Sequence, residues 1–287
     1  MTPSSPLPAA GPALLLRALF KRGKPAGSAS AVFESAFAAD RIDPAQLARY
    51  NALFGFAGDA LPLTFHYLIV QRAHLATMLD AAFPFRLLGM VHTENALHEQ
   101  RRPDLDAPLT IRTRVEIEAP TEHGARYCTL HSSATQNGLP VCHCTSRYLA
   151  QRGRPLRKHA AQPGEPETMA SFGAWTLDAD AGRRYAAVSG DWNPIHLWRW
   201  SAKLFGLSSP IIHGMHTMAA ACAQIEKTLG EKTQRPHVTT MSARFKAPIA
   251  LGSRVALLAD AEAGSYRVRI GEMRAVEGKF ELAQPTP

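Results

Sequence analysis

The sequence predicts an α+β protein made of two similar halves, each with one long buried helix followed by antiparallel strands. Two observations support this. A helical apolar stretch followed by several strand-like stretches occurs twice, about 145 residues apart, which indicates a duplication at the scale of a domain. A helix that is apolar on nearly every side must also be wrapped by other structure, and a curled antiparallel sheet would do this.

Length and composition allow a sizeable core, because apolar residues make up 46% of the 287 positions. The four cysteines, Cys128, Cys142, Cys144 and Cys222, have no metal-finger spacing. A metal site formed by Cys142, His143 and Cys144 is an alternative. On a strand, however, the two thiols share one face and His143 points to the other, so buried small apolar side chains are expected. A reduced, cytoplasmic protein fits this cysteine content best.

The net charge of +8 and the placement of the basic residues indicate which kinds of molecule the protein binds. No aromatic residues interleave with the basic clusters, which argues against a nucleic-acid platform. No run of eighteen apolar residues predicts a membrane span, so no membrane partner is expected. A mild basic excess suits a small phosphorylated ligand. The motifs G-x-S-x-G, the P-loop and G-x-G-x-x-G are all missing, so hydrolase, nucleotide and dinucleotide chemistry lack support, and no cofactor or metal is expected.

Composition divides the chain into four parts. Residues 1–30 are expected to form a loosely ordered N-terminal arm, and residues 31–150 the first half. The stretch 151–167 is rich in proline, glycine and charge, which is typical of a linker. Residues 168–287 form the second half.

The first half contains a helical apolar pattern over 61–83. Strand-like stretches follow over 87–97, 109–119, 125–136 and 139–151. In the second of these, polar and apolar residues alternate, so Arg112 and Arg114 are expected on one face and Val115 on the other. The Asn137-Gly138 pair between the last two stretches predicts a hairpin turn.

The second half repeats the same order. Residues 211–230 predict a buried helix whose alanine run allows close packing and which Gly230 ends. Strand-like stretches follow over 237–248, 253–263, 266–276 and 279–284. Before the helix, Trp198, Trp200 and Phe205 are expected in the core or in a pocket wall.

The stretch YAAVSGDWNPIH (185–196) carries the chemistry. An acid and a histidine close together in the chain are residue types that acid–base catalysis uses. Asp191 and His196 on one short turn are able to hold a water between them. Pro194 forces Asn193 into an extended conformation and suits the first position of a helix. The positive end of that helix would keep His196 neutral and ready to accept a proton.

This stretch resembles the signature of the MaoC-like (R)-specific enoyl-CoA hydratases, in which an aromatic residue precedes Ser-Gly-Asp, any residue, Asn-Pro, a branched apolar residue and His. The matching positions are Tyr185, Ser189, Gly190, Asp191, Asn193, Pro194, Ile195 and His196. The continuation matches at Ala202, Gly206, Pro210, Ile211, His213, Gly214 and Met215. The resemblance implies a double hot-dog fold, in which the first half has lost the motif and makes room for the acyl chain.

The resemblance also implies the roles of individual residues. The implied reaction, addition of water to the double bond of a 2-enoyl thioester, needs a base for the water, an acid for the α-carbon and a group that stabilises the thioester oxygen. Asp191 and His196 would activate the water and transfer protons, and the Gly214 N–H would stabilise the thioester oxygen. A second interpretation of Gly214, which the neighbouring motif disfavours, is that helix and sheet pack too tightly there for a side chain. Asn193 either orients water or substrate, or caps the following helix, or does both. Substrate contacts are expected at four positions: Asn193, His213, Met215 and His216.

Several alternatives remain open. His213 and His216 share a helix face and, with His196, would make a three-histidine metal site, which the family does not need. Arg235, Arg244 and Lys246 are either contacts for the phosphates of the thioester arm or ordinary surface residues. The predicted reaction is reversible hydration of trans-2-enoyl-CoA to (R)-3-hydroxyacyl-CoA. The alternatives are a dehydratase acting on an acyl-carrier protein in fatty-acid or polyketide synthesis, a thioesterase, which the intact motif disfavours, and a non-catalytic acyl-thioester binding protein. A homodimer is possible.

Overall fold

The first half of the chain runs from a short N-terminal arm to a long hairpin. The computed structural model describes residues 5–8, 12–24, 31–154, 169–230 and 237–283. In the arm lie strand β1 (Ser5–Pro6) and helix α1 (Pro12–Phe20). The half itself comprises β2 (Ala31–Ala39), α2 (Pro44–Phe54), a 3-10 turn (Leu63–Phe65), α3 (His66–Leu79), β3 (Val91–Glu99), β4 (Leu109–Ile117), β5 (Arg126–Gln136) and β6 (Leu139–Gln151).

The second half repeats this order with one insertion. Its elements are β7 (Ala170–Thr176), α4 (Ala181–Ser189), a 3-10 turn (Pro194–His196), α5 (Arg199–Leu204), α6 (Gly214–Gly230), β8 (Val238–Phe245), β9 (Arg254–Asp260), β10 (Ser265–Ile270) and β11 (Met273–Leu282). The turn and α5 are the additional segment, and they separate α4 from the long helix α6. Most of the predicted linker 151–167 lies outside the described residues.

The duplication is visible in the order of the strands. Within the described residues, eleven strands form one sheet in the order β1-β2-β4-β5-β6-β3-β8-β11-β10-β9-β7. Apart from β1, corresponding strands of the two halves lie at equal distances from the central β3–β8 pair. That pair is antiparallel and joins the halves, with Leu97 opposite Met241. The two halves therefore face each other as two copies of a symmetric dimer would.

Each half wraps its sheet around one long helix. The buried side of α3 includes Leu68, Val70 and Ala73, and that of α6 includes Met218, Ala219 and Cys222. Helix α6 begins at Gly214 and not at the predicted residue 211, because Ile211 pairs with Ala250 and Ile212 donates to the Ile249 carbonyl in an extended conformation. It ends at Gly230, as predicted.

Local predictions in the first half are confirmed. Strand β4 alternates buried and exposed positions, with Arg112 and Arg114 exposed and Val115 buried. Asn137 and Gly138 join β5 to β6 with φ angles of 53° and 77°, the left-handed conformations that a tight hairpin turn requires. The four cysteines are free and buried, as expected: Cys128, Cys142, Cys144 and Cys222.

The junction between the halves also contains a buried acid. The Glu99 carboxylate lies 3.0 Å from His66 Nε2, 3.1 Å from His237 Nε2 and 3.3 Å from Arg102 Nε. Burial alone would raise the pKa of Glu99, but the hydrogen bonds to His237 and His66 outweigh it and lower the pKa to about 2. This carboxylate therefore ties α3 and β3 to the segment that leads into β8. Among the described helices, none is long and apolar enough to cross a membrane.

Candidate active site

The loop between α4 and α5 carries the sequence motif. Helix α4 ends at Gly190, which takes a left-handed conformation with φ of 77°. Asn193 then caps the turn Pro194–His196, because its Oδ1 accepts the Ile195 N–H at 3.4 Å. The capping role of Asn193 is thus present in the structure, and within the described residues its amide nitrogen has no hydrogen-bond partner, so that group is available to a water or a substrate.

Asp191 is held through its backbone and one carboxylate oxygen. Its N–H donates to Ser189 Oγ at 3.2 Å, and its Oδ1 accepts the Asn193 N–H at 3.2 Å. Its carbonyl accepts a hydrogen bond from His213 Nε2 at 2.9 Å. The side chain is half-buried. A carboxylate fixed in this way has a defined position but keeps access to a small molecule.

The imidazole of His196 has a defined tautomer. Its Nδ1 lies 2.8 Å from the Ile211 carbonyl, which accepts only from a protonated nitrogen, so in the neutral ring Nε2 carries the lone pair. The pKa of His196 is lowered to about 3, mainly by burial and also by the neighbouring His213, whereas the charge of Asp191 opposes both effects. The ring is therefore neutral near pH 7. The expected cause, the end of a helix, is wrong, because His196 closes a 3-10 turn of three residues.

Gly182 allows helix α4 to pack closely against the loop that carries the motif. A Cβ built at Gly182 would overlap the His196 carbonyl oxygen. The first turn of α4 therefore lies directly against the backbone of the proposed base. A glycine outside the motif is thus needed for the position of His196.

His213, Met215 and His216 lie at the start of α6 and are buried. The His213 ring stacks on that of His196, with centroids 3.7 Å apart. His216 packs against Tyr185, at 5.6 Å between ring centroids, and against Phe54, at 5.0 Å. Met215 belongs to the main core. These contacts give all three side chains a packing role, and their contact with substrate stays a prediction.

Gly214 opens α6 against the ring of Phe245. A Cβ at this position would lie 2.9 Å from two ring carbons, so the tight-packing interpretation is supported. The first N–H groups of an α-helix have no acceptor within the helix and favour negative charge. The two roles of Gly214 are compatible, because tight packing depends on the absence of a Cβ whereas stabilising the thioester oxygen depends on the backbone N–H.

The first half contributes side chains that the sequence pattern did not indicate. Burial raises the pKa of the Tyr67 and Tyr148 phenols, and the charge of the Asp191 carboxylate also acts to raise both pKa values. His92 lies 5.2 Å from Phe245 between ring centroids and 4.5 Å from Tyr148. Tyr67 lies on helix α3. The strands of Tyr148, His92 and Phe245 meet through the pairing of β3 with β6 and β8. No local spacing in the sequence signals these contacts.

The structure also bears on the predictions for the tryptophans after the motif and for the basic residues. Trp198 and Trp200 are 43% and 63% exposed and stack on each other at 6.0 Å, so a place in the core is wrong for both, whereas Phe205 is half-buried. Their place in a pocket wall stays a prediction. Two of the three basic residues considered as phosphate contacts lie within the described residues, and each forms an ion pair. Arg244 lies 3.8 Å from Glu94, and Lys246 lies 2.7 Å from Glu277. Arg235 lies outside the described residues.

The three histidines do not converge on one point. His196 and His213 each donate a hydrogen bond from one ring N–H to a backbone carbonyl, and their rings stack on each other. Across the described part of the chain, no three side chains of suitable type are arranged to bind a metal ion. The geometry therefore does not support the three-histidine alternative.

Known proteins match the same region. Residues 158–279 match the family model of the MaoC like domain. The 3-hydroxyacyl-thioester dehydratase X of Mycobacterium tuberculosis is 30% identical over 235 residues, which is 81% of this chain and 81% of that protein. The chain belongs to the MaoC-like dehydratase family.

Solved structures support the fold of this MaoC-like chain. The crystal structure of HtdX of Mycobacterium tuberculosis has a TM-score of 0.69 at 25% identity, and the match covers 89% of this chain and all of that one (100%). A conserved hypothetical protein of the same organism, described as a double hotdog fold, has a TM-score of 0.56 at 14% identity over 90% of this chain and 96% of that one. The predicted double hot-dog fold is therefore confirmed.

Proposed function

We propose that this MaoC-like chain catalyses the reversible hydration of trans-2-enoyl thioesters to (R)-3-hydroxyacyl thioesters, with coenzyme A as the carrier. The observation that carries the proposal is that one loop holds a fixed Asp191 carboxylate and a neutral His196, whose Nε2 has no hydrogen-bond partner among the described residues. The charge of Asp191 acts on His196, so a single bound water is able to contact both groups. The family relationship supports the same reaction class.

The hydration step assigns one task to each group. A water lies between the Asp191 carboxylate and His196 Nε2, and Nε2 takes one of its protons. The water oxygen bonds to C3, the C2–C3 π electrons form a C1–C2 double bond, and the C1–O π electrons move onto the thioester oxygen, which becomes negative. The imidazolium then returns the proton to C2 while the C1–O double bond re-forms. The carboxylate stabilises the imidazolium while it exists, in keeping with its opposing effect on the pKa of His196.

The developing negative charge on the thioester oxygen needs a donor. The Gly214 N–H lies at the start of the seventeen-residue helix α6, where the helix dipole adds to the hydrogen bond. Dehydration follows the same steps in reverse, so the site serves both directions.

The test is the loss of crotonyl-CoA absorbance with purified protein, alongside Asp191→Asn and His196→Gln. We expect turnover in the wild type and a fall of at least about 10²-fold in kcat in each variant, as is usual for acid–base groups. Asp178→Asn and His143→Gln make the same chemical changes at exposed positions and should leave kcat unchanged. Chiral chromatography of the hydrolysed product checks the R configuration.

Longer enoyl-CoA esters and carrier-protein thioesters extend the same assay. Faster turnover of the carrier-protein thioester would replace coenzyme A by the carrier protein in this proposal. Thioester binding without turnover on any of these substrates would reject catalysis and favour a binding protein.

A further inference from the structure

Tyr148 occupies a junction in the first half. It lies on the inner face of β6, directly opposite His92 on β3. The rings of these two residues stack, with centroids 4.5 Å apart and planes inclined by 16°. The Tyr148 hydroxyl lies 3.2 Å from the hydroxyl of Tyr67 on α3. The phenol ring is thus held from the helix side and from the sheet side.

On one side, Tyr148 is connected to the candidate active site. Its partner His92 packs against Phe245, whose ring lies against Gly214. The side chains of Tyr148, His92, Phe245 and Asp191 are all half-buried, as expected for the lining of a cleft. An acyl chain whose thioester lies between Gly214 and the dyad would meet this row of rings when it extends into the first half.

On its other side, Tyr148 packs against an apolar cluster that is separate from the main core. The buried members of this satellite cluster are Met78, Phe83, Phe85, Val115, Ile117, Cys128 and Leu130. Half-buried side chains also contact it, namely Phe33, Leu87, Met90, Tyr148 and Ala150. An apolar cluster of this kind suits a hydrocarbon tail, but the Tyr148 ring stands between it and the dyad.

Building on the proposed function, we infer that Tyr148 determines acyl-chain length, because its ring closes the passage from the dyad to the satellite cluster. The wild type then prefers short acyl chains. The hydrogen bond to Tyr67 and the stacking on His92 keep the ring from swinging aside. Removing the ring would join the cleft to the satellite cluster, and each methylene that gains burial there would strengthen binding by about four-fold.

The test measures binding and turnover on the same proteins. Isothermal titration calorimetry with butyryl-, octanoyl- and dodecanoyl-CoA compares the wild type with Tyr148→Ala and Tyr148→Phe. Saturated thioesters are not turned over, so the binding profile is independent of catalysis. We expect Tyr148→Ala to raise the ratio of dodecanoyl to butyryl affinity at least about ten-fold. Tyr148→Phe keeps the ring and should keep the wild-type profile. Tyr148→Val, a good strand former, replaces the alanine variant if that one does not fold.

The outcomes separate the two hypotheses. A folded Tyr148→Ala or Tyr148→Val variant with the wild-type chain-length profile would overturn the inference about Tyr148, as would a wild type that already binds dodecanoyl-CoA best. A wild type that binds short acyl-CoA but hydrates no enoyl thioester would overturn the proposed function alone. In that case a shift of the binding profile in Tyr148→Ala still supports the role of Tyr148.

Discussion

The imidazole ring of His213 lies against that of His196, with centroids 3.7 Å apart and planes inclined by 30°. The same His213 donates its Nε2–H to the Asp191 carbonyl at 2.9 Å. One side chain near the start of α6 therefore contacts both members of the proposed dyad. His213 also lowers the pKa of His196, after the larger effect of burial. These contacts make His213 a positioning residue for the loop.

His213→Phe tests this role. Phenylalanine retains a flat ring for stacking but removes the hydrogen bond to Asp191, whose net worth is about 1 kcal/mol. We expect kcat for enoyl-CoA hydration to fall about ten-fold with little change in KM. Loss of the neighbouring imidazole should also raise the pKa of His196. Because the base must be neutral, the acid limb of the kcat/KM profile should then move to higher pH.

The control makes the same substitution elsewhere. His143 is exposed on β6, so His143→Phe should change neither kcat nor the pH profile. A His213→Phe enzyme whose acid limb stays in place would show that the His213 ring has only a packing role.

Gly182→Ala tests the contact between α4 and the loop. In a helix, alanine is normally about 1 kcal/mol more favourable than glycine. Here the added methyl would overlap the His196 carbonyl oxygen, so we expect the opposite sign, a loss of about 1–3 kcal/mol in the free energy of unfolding. Displacement of His196 should also lower kcat by at least about ten-fold. Urea unfolding and the hydration assay measure the two effects.

A matched glycine provides the control for this experiment. Gly58 is exposed and has no heavy atom within 4 Å of a built Cβ, so Gly58→Ala should be nearly neutral. A Gly182→Ala protein that is as stable and as active as the wild type would contradict the steric argument.

The sequence predicts those parts of the site that depend on neighbours along the chain. The capped turn at Asn193 and the loop that carries both Asp191 and His196 follow from one twelve-residue stretch. Contacts between distant segments leave no such pattern. The steric need for Gly182 arises from a carbonyl fourteen positions later. Tyr148 is connected to the second half only by the pairing of β6 with β3 and of β3 with β8 within the described sheet. The spacing of the aromatics likewise predicted Trp198 and Trp200 in the core or a pocket wall, but Trp198 precedes α5 in an extended conformation and both side chains are exposed.

Acid sensitivity should follow from histidines that are buried in the neutral form. Burial is the largest cause that lowers the pKa to about 3 at five positions: His74, His92, His196, His213 and His216. In the unfolded chain the ordinary pKa is about 6.5, so below that pH the unfolded state binds more protons and the folded state loses stability. Each group therefore contributes stability that is present above pH 6.5 and is lost as the pH falls towards 3.

His216→Phe isolates one of these groups, since phenylalanine is able to keep the contacts with Phe54 and Tyr185. Between pH 7.5 and 5.5 the wild type should lose about 1.4 kcal/mol more stability than this variant, because one titrating group is removed. Urea unfolding at both pH values measures the difference. His143→Gln removes an exposed histidine and should retain the wild-type pH dependence. Equal losses in the wild type and in His216→Phe would show that the His216 ring gains its proton in the folded state as readily as in the unfolded chain.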